Sequence, residues 1–200
     1  TPAFGSVQPG DVKYRDLDKN GVVDQNDVTQ VGKSPFPEWY FSFGGKIAWK
    51  GFDLEVLFQG AAGMSVNILD NKNQVVAFVN NGNAYDIAKG AWAYYPEQGI
   101  DTRATATYPR LTTQSNENNY QTSSMWVKNA DYLKLRNLEL GYNFNARKLQ
   151  RAGVDNLRVY LSAQNLLTFS GLLKHYNMDP EKISGYPTIK SYNVGVSITF

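Results

Sequence analysis

The chain has 200 residues, a formal net charge of +2 and no cysteine. This length is enough for one domain with a real core, and the small net charge argues against a nucleic-acid-binding surface. The lack of cysteine excludes a disulfide framework, a zinc-thiolate site and a thiol nucleophile. No stretch approaches the roughly 20 apolar residues that a transmembrane helix needs.

The first half of the chain predicts a loop, a strand hairpin and a second loop. Residues 1–37 are rich in Pro, Gly, Asp and Asn, so we expect an extended loop. Residues 38–62 alternate in polarity on both sides of Lys50-Gly51, which predicts two strands joined by a tight turn. Residues 63–124 have no strong period and are rich in Asn, Thr, Ser and Tyr. They predict a long loop, with one short helix between residues 85 and 95 that Pro96 ends.

The final strands are predicted over residues 125–200. Short and long alternating runs lie at 125–128 and 132–144, and the phase of the longer run slips near Arg136-Asn137, which predicts a β-bulge. A polar, basic connection over residues 145–156 precedes a strand at 157–167, and a loop to about residue 188 precedes the terminal strand. In residues 189–200 every second side chain is apolar, up to Phe200. A soluble sheet would use that apolar face as core, whereas an outer-membrane barrel would turn it to lipid.

The lengths of the connections favour a barrel. The connections at 50–51 and 145–156 are short, and those at 1–37, 63–124 and 168–188 are long, and the two kinds alternate. Outer-membrane barrels have short periplasmic turns and long extracellular loops. Strands of about 10 residues are long enough to span a bilayer when they are tilted.

Several segments, in this order, resemble a known family. They are GDVKYRDLDKNGVVDQND, GFDLEVLFQGAAG, YPRLT, ADYLKLRNLELGYNF and LRVYLSAQNLLTFSG, followed by a Tyr-containing terminal strand that ends in Phe200. The ordered set resembles the carboxyl-terminal part of SusC/RagA-type TonB-dependent outer-membrane transporters of Bacteroidetes, over nearly the whole chain.

The resemblance implies an all-β fold: the carboxyl-terminal antiparallel strands of an outer-membrane β-barrel of about 22 strands, with long extracellular loops. It implies a nutrient importer for oligosaccharides or peptides, not an enzyme, in the outer membrane of a Gram-negative bacterium. The implied partners are a SusD-like surface lipoprotein that acts as a lid, TonB, the barrel assembly machinery and outer-membrane lipid. Phe200 would serve as the assembly signal. About five strands cannot close such a barrel, so we expect the plug and the segment that TonB grips to lie outside this sequence.

The alternative is a soluble all-β carbohydrate-binding module with a structural calcium ion. It predicts that six apolar residues form a dry protein core, whereas the transporter predicts that they face lipid. The six are Phe41, Phe43, Leu54, Val56, Leu138 and Val196. A glycoside hydrolase would need a carboxylate pair. Asp53 and Glu55 share one strand face but are better interpreted as lumen-facing polar residues, and His175 as a solvated loop residue.

Residues 16–27 have the spacing of an EF-hand calcium loop. The candidate ligands are Asp16, Asp18, Asn20, the carbonyl group of Val22, Asp24 and Asp27. Calcium takes six to eight hard oxygen ligands, and this spacing wraps such oxygens around one point. Asp27 stands where a bidentate glutamate is usual. The other interpretation is an Asx-rich turn without a metal, since Asp and Asn cap turns by themselves.

Three aromatic residues in the long loop are candidates for contact with a substrate or a lid. Trp92, Tyr94 and Tyr95 lie within four residues of one another. Sugar rings stack on such side chains, and an aromatic-rich surface suits a protein partner. The other interpretation is that these residues pack a small core within the loop itself.

Overall fold

The computed structural model describes residues 4–144 and 153–200. The chain divides into two compact units, a loop unit (Thr1–Lys33 with Ser65–Asn129) and a sheet unit (Ser34–Met64 with Ala130–Phe200). Within the described ranges, no helix has both the length and the apolar character that crossing a membrane requires.

The elements in the described residues are mainly strands, with two short helices and several 3₁₀ turns. The strands are β1 (Trp39–Trp49), β2 (Phe52–Ala62), β3 (Ser65–Asn67), β4 (Tyr94–Tyr95), β5 (Ile100–Asp101), β6 (Val127–Asn129), β7 (Tyr132–Asn143), β8 (Asn156–Ser170) and β9 (Ser191–Thr199). The helices are α1 (Lys72–Val75) and α2 (Gly171–Tyr176). The 3₁₀ turns lie at Ile68–Asn71, Val79–Asn81, Asp86–Gly90, Pro96–Gln98 and Glu117–Tyr120.

The five long strands of the sheet unit form one antiparallel sheet in the order β1-β2-β7-β8-β9. Lys50 and Gly51 close the first hairpin with φ values of 48° and 91°, the left-handed pair that a two-residue type I′ turn requires. The bulge predicted near Arg136-Asn137 is confirmed, because the register of β7 shifts against both neighbouring strands between Leu135 and Asn137. Most of the predicted connection at 145–156 lies outside the described residues.

The register places the apolar side chains of all five strands on one face, which we call the apolar face. Directly paired residues of antiparallel strands share a face, and Ile47, Leu54, Leu140, Leu161 and Val194 form one such row across the sheet. The row is 70%, 38%, 45%, 55% and 75% exposed, in that order. A large exposed apolar surface of this kind is unusual for a protein surrounded by water.

The six residues that separate the two alternatives lie on this apolar face. Phe41, Phe43, Leu54 and Val196 are exposed, and Val56 and Leu138 are half-buried. The dry core that the soluble module predicts is therefore wrong for these residues in this chain. The sheet has two open edges within the part of the chain that the structure describes, because β1 pairs only with β2 and β9 only with β8.

The loop unit has a core of its own, built around two aromatic residues. Trp126 and Tyr108 are 1% and 2% exposed, and their rings meet edge to face with centroids 5.8 Å apart. The Tyr108 hydroxyl donates to the Val75 carbonyl (2.7 Å) and accepts from the Ala77 amide (3.1 Å). The Trp126 indole donates to the Asn119 carbonyl (2.8 Å). Residues without a period in sequence are thus organised by buried hydrogen bonds.

Several expectations about this region need correction. The short helix expected between residues 85 and 95 is instead the 3₁₀ turn Asp86–Gly90 followed by β4. The strand expected at residues 125–128 is β6, which pairs with β3 in the loop unit and not with the long sheet. Residues 1–33 belong to the same compact unit as 65–129, so the two predicted loops are not separate. The reason is the common core around Trp126.

Candidate functional site

The face of the sheet opposite the apolar face carries the charged side chains, and we call it the polar face. The residues on it that form ion pairs are Lys46, Asp53, Glu55, Lys134, Glu139 and Arg158, with Arg136 at the bulge. Charges on one face and apolar groups on the other follow directly from the period of two. The ion pairs form two clusters and one separate pair.

The cluster nearer the β1–β2 turn is built around Arg158 on β8. Its guanidinium group donates to Asp53 on β2 and, at 2.6 Å, to Glu139 on β7. Asn143 donates to the same Asp53 carboxylate at 2.8 Å. Glu55 pairs instead with Lys46 at 3.6 Å. Asp53 and Glu55 therefore have separate cationic partners, and the structure does not bring them together as a pair of carboxylates for acid–base chemistry.

The second cluster, which we call the anchor cluster, lies at the opposite end of β7. The Lys134 side chain is 1% exposed, and its ammonium group contacts Asp179 at 2.8 Å and Glu181 at 2.6 Å. Arg136 also pairs with Glu181, and Tyr132 donates its hydroxyl to Glu181 at 2.7 Å. A buried lysine is stable as a cation only when it is paired, and here two carboxylates satisfy it.

The two carboxylates of the anchor cluster are held ionised. Burial raises the pKa of Asp179, but hydrogen bonds from Lys134, Thr188 and the Glu181 amide outweigh burial and leave that pKa below its ordinary value. Burial also raises the pKa of Glu181, and the contacts with Lys134, Tyr132 and Arg136 outweigh it in the same way. Both carboxylates are therefore ionised at neutral pH.

Sequence reasoning missed the partners of Lys134 and Arg136. Asp179 and Glu181 are 45 and 47 residues away from Lys134 along the chain. Their only sequence signal is a pair of acidic residues in a long loop. His175, which lies close to both in sequence, is an exposed residue near the end of α2, and no contact with either carboxylate is present among the described residues.

The predicted calcium loop brings three of its candidate ligands together. Carboxylate oxygens of Asp16, Asp18 and Asp27 lie within 4.8 Å of one another. Two oxygens bound to one calcium ion are at most about 5 Å apart, so this spacing fits calcium. Three oxygens are fewer than the six to eight that calcium takes.

The same side chains also brace the loop without a metal. Asp16 accepts from the amides of Lys19 and Gly21 at 2.6 and 2.9 Å. Asp27 accepts from those of Leu17 and Asp24, and these backbone hydrogen bonds lower its pKa. Further Asx-type contacts involve the other candidates: Asn20 accepts from Val22, Asp18 from Asn20, and Asp24 from Asn26. The loop geometry fits both interpretations, and the calcium site stays a prediction.

The three aromatic candidates occupy different environments. Trp92 is half-buried, and its amide donates to the Tyr108 carbonyl at 2.9 Å. Its ring packs on Gly10, where a Cβ atom would come within 2.5 Å of it. Tyr94 and Tyr95 are 43% and 57% exposed, and the Arg103 guanidinium lies 3.7 Å from the centre of the Tyr94 ring. Of the three, the two tyrosines present more of their surface to solvent than Trp92 does.

A buried carboxylate that sequence reasoning missed ties the start of the chain to the loop unit. The Asp11 side chain is 1% exposed and lies 2.7 Å from Arg110. It also accepts from Asn116 and Asn119 at 3.0 and 2.9 Å, and from the Gln8 amide. Burial raises the pKa of Asp11, but these hydrogen bonds and the Arg110 charge outweigh burial, so that the pKa lies below its usual value.

Comparison with known proteins identifies relatives that carry the same strands. No protein-family model matches the chain. It is 26% identical, over 98% of its length, to TonB-dependent receptor P3 of Formosa agariphila, and covers 20% of that protein. It is 27% identical, over 96% of its length, to TonB-dependent receptor SusC of Bacteroides thetaiotaomicron, and covers 18% of it.

Solved structures that resemble this chain belong to the same kind of transporter. A chain of the RagAB peptide importer in its closed-closed state matches 96% of this chain with a TM-score of 0.68 and 26% identity, and 20% of that chain is covered. A structure of the RagAB peptide transporter matches 84% with a TM-score of 0.64 and 26% identity, and 18% of that chain is covered. The predicted fold class is confirmed. Over nearly its whole length, this chain is similar to SusC/RagA-type TonB-dependent receptors, and its antiparallel strands match part of the RagA structures.

Proposed function

We propose that this chain is the carboxyl-terminal part of an outer-membrane, TonB-dependent importer that takes up oligosaccharides or peptides beneath a SusD-like lipoprotein lid. The chain spans about a fifth of the length of the relatives it matches, so transport by the whole protein is inferred from these relatives. These relatives are named as receptors and as a peptide transporter, which supports a transporter and not an enzyme.

The observation that carries the proposal is the division of the sheet into an exposed apolar face and a charged polar face. In an outer-membrane barrel the outward face is an apolar band in contact with lipid, and the inward face is polar. Val194 and Leu161, at 75% and 55% exposed, fit the band, and the ion pairs of Arg158 and Lys134 fit the lumen wall. Charged residues at membrane depth face the interior of such proteins and pair with one another.

The connections support an orientation. β1–β2 and β7–β8 are joined at one end of the sheet, whereas at the other end β1 begins, β2 ends and β8 continues into residues 171–190. In the proposed barrel, the first end is periplasmic and the second is extracellular. We also propose Tyr94 and Tyr95 as residues that contact a substrate or a lid, because both side chains are exposed.

The paired state of the carboxylates supports a role without catalysis. A glycosidase needs two carboxyl groups free to act on one bond, but Asp53, Glu139, Asp179 and Glu181 are each engaged by a cationic side chain. We propose that these residues shape the lumen wall.

The proposal is tested in the source bacterium with the full-length protein. Deletion of the codons for residues 191–200, which removes all of β9 and Phe200, is expected to abolish recovery of the protein from outer membranes. Loss of TonB is expected to leave the protein in the outer membrane but to stop uptake of its substrate. A full-length protein that remains soluble, monomeric and folded in buffer without detergent contradicts the proposal.

A further inference from the structure

The last long loop of the sheet unit folds back over the polar face. Residues 178–189, which we call the strap, connect α2 to β9. Asp179 and Glu181, near its start, contact Lys134, and Thr188, near its end, lies 3.4 Å from the same ammonium group. Because Lys134 projects from the polar face, the strap lies on that face and does not extend away from the sheet.

The base of the strap is closed by a second set of hydrogen bonds. Asp179 accepts from the Thr188 amide at 3.0 Å and so joins the two ends of the loop. Asn165 on β8 donates to the Ile189 carbonyl at 3.1 Å, and Arg136 donates to Asn165 at 2.9 Å. The strap is therefore fixed to two neighbouring strands, at the bulge that both share.

The middle of the strap has few restraints of this kind. Tyr186 is 85% exposed, and Lys182 to Pro187 are exposed apart from the half-buried Ile183. A loop with a charged, buried base and an exposed tip opens as a unit when its base is released, because local opening costs least where few buried contacts are lost.

We propose that Lys134 is the positioning residue of an inward-folded strap, residues 178–189, which narrows the outer mouth of the transport path. This inference rests on the proposed function, since the polar face lines a path only in a barrel. In that setting the strap covers the lumen wall around Lys134, and release of its base uncovers this wall. Lys134 contacts the strap and not the solute, so it acts through the position of the loop.

The test measures the accessibility of the wall under the strap. These 200 residues contain no cysteine, so Thr168→Cys gives a unique thiol in a full-length protein whose cysteines elsewhere are replaced by serine. Thr168 pairs with Lys134 across β7 and β8 and is half-buried on the polar face. Ser162→Cys, on the same strand and face, is the matched control, because Ser162 pairs with Glu139, away from the anchor cluster. The probe is a bulky, membrane-impermeant maleimide that is applied to the full-length protein in outer membranes.

Lys134→Met is expected to raise the labelling rate at position 168 about tenfold or more, since it leaves Asp179 without a cationic partner and Glu181 with Arg136 alone. The rate at position 162 is expected to stay the same. Asp179→Asn, a change on the strap that leaves the sheet intact, is expected to have the same effect. An unchanged rate at position 168 in both variants overturns the inference.

Loss of the sheet itself is detected separately. Residues 54–60 match the recognition sequence of a viral protease and lie inside β2, paired with strands on both sides. Cleavage there reports that the sheet has opened. A higher labelling rate at position 168 is therefore taken as opening of the strap only in variants that resist cleavage. If Lys134→Met is cleaved, Asp179→Asn decides. The labelling rates do not depend on TonB, so failure of the strap and failure of the transport proposal are distinguishable.

Discussion

Leu161→Arg tests directly whether the apolar face meets lipid. Leu161 on β8 belongs to the row of paired apolar residues that crosses the sheet, where it lies between Leu140 and Val194, and it is 55% exposed. In lipid, the exposed part of a leucine side chain contributes about 1 kcal/mol, and an arginine at the bilayer midplane costs about 2–4 kcal/mol. Together these amount to about 3–5 kcal/mol, which lowers the ratio of folded to unfolded protein by a factor of roughly 10² to 10³ or more.

The assay is guanidinium unfolding of the full-length protein in lipid vesicles, with Ser162→Arg as the matched control. Ser162 is the next residue on the same strand but lies on the polar face opposite Glu139. An arginine there is expected to change the free energy of unfolding by about 0.5 kcal/mol or less, as is usual for a surface substitution. If Leu161→Arg costs no more than Ser162→Arg, the apolar face is in water and the barrel is refuted.

Three further predictions concern the loop unit and β2. Asp11→Asn is expected to destabilise the loop unit by about 3 kcal/mol, because it leaves a guanidinium buried without its partner. The folded-state pKa of Asp11 lies below the ordinary value of 3.8, so the contribution of Asp11 to stability is present above pH 3.8 and is lost as the pH falls through the folded pKa. Thermal unfolding of the natural protein and the variant at pH 7 and pH 3 checks both statements. A variant whose stability has the same pH dependence as that of the natural protein contradicts them. If calcium binds residues 16–27, it is expected to raise the unfolding temperature of the full-length protein, and Asp18→Asn is expected to reduce that rise while Asp86→Asn leaves it unchanged. If calcium does not change the unfolding temperature of the natural protein, residues 16–27 are an Asx-rich turn without a metal. The viral protease that recognises residues 54–60 is expected to cleave the chain only after unfolding, and cleavage of the folded protein would show that β2 is not a central strand.

The local features of the sheet were predictable from sequence because they depend on near neighbours. Alternation sets which side chains share a face, and Lys50-Gly51 satisfies a turn that needs two positive φ values. The bulge was also visible, since one extra residue at Arg136 shifts the apolar phase of β7. The order of motifs then carried the family resemblance, which the relatives confirm.

The contacts that define the candidate site were decided only by tertiary structure. Lys134 contacts Asp179 and Glu181, which are 45 and 47 residues away along the chain. A local sequence pattern does not predict which residues of a loop will contact a sheet. In the core of the loop unit, Tyr108 donates to the Val75 carbonyl and Trp126 to the Asn119 carbonyl, and these hydrogen bonds follow no period in the sequence. A strand repeats its environment at every second residue, so its sequence records its faces. A loop makes each contact once, and the partner depends on the path of the whole chain.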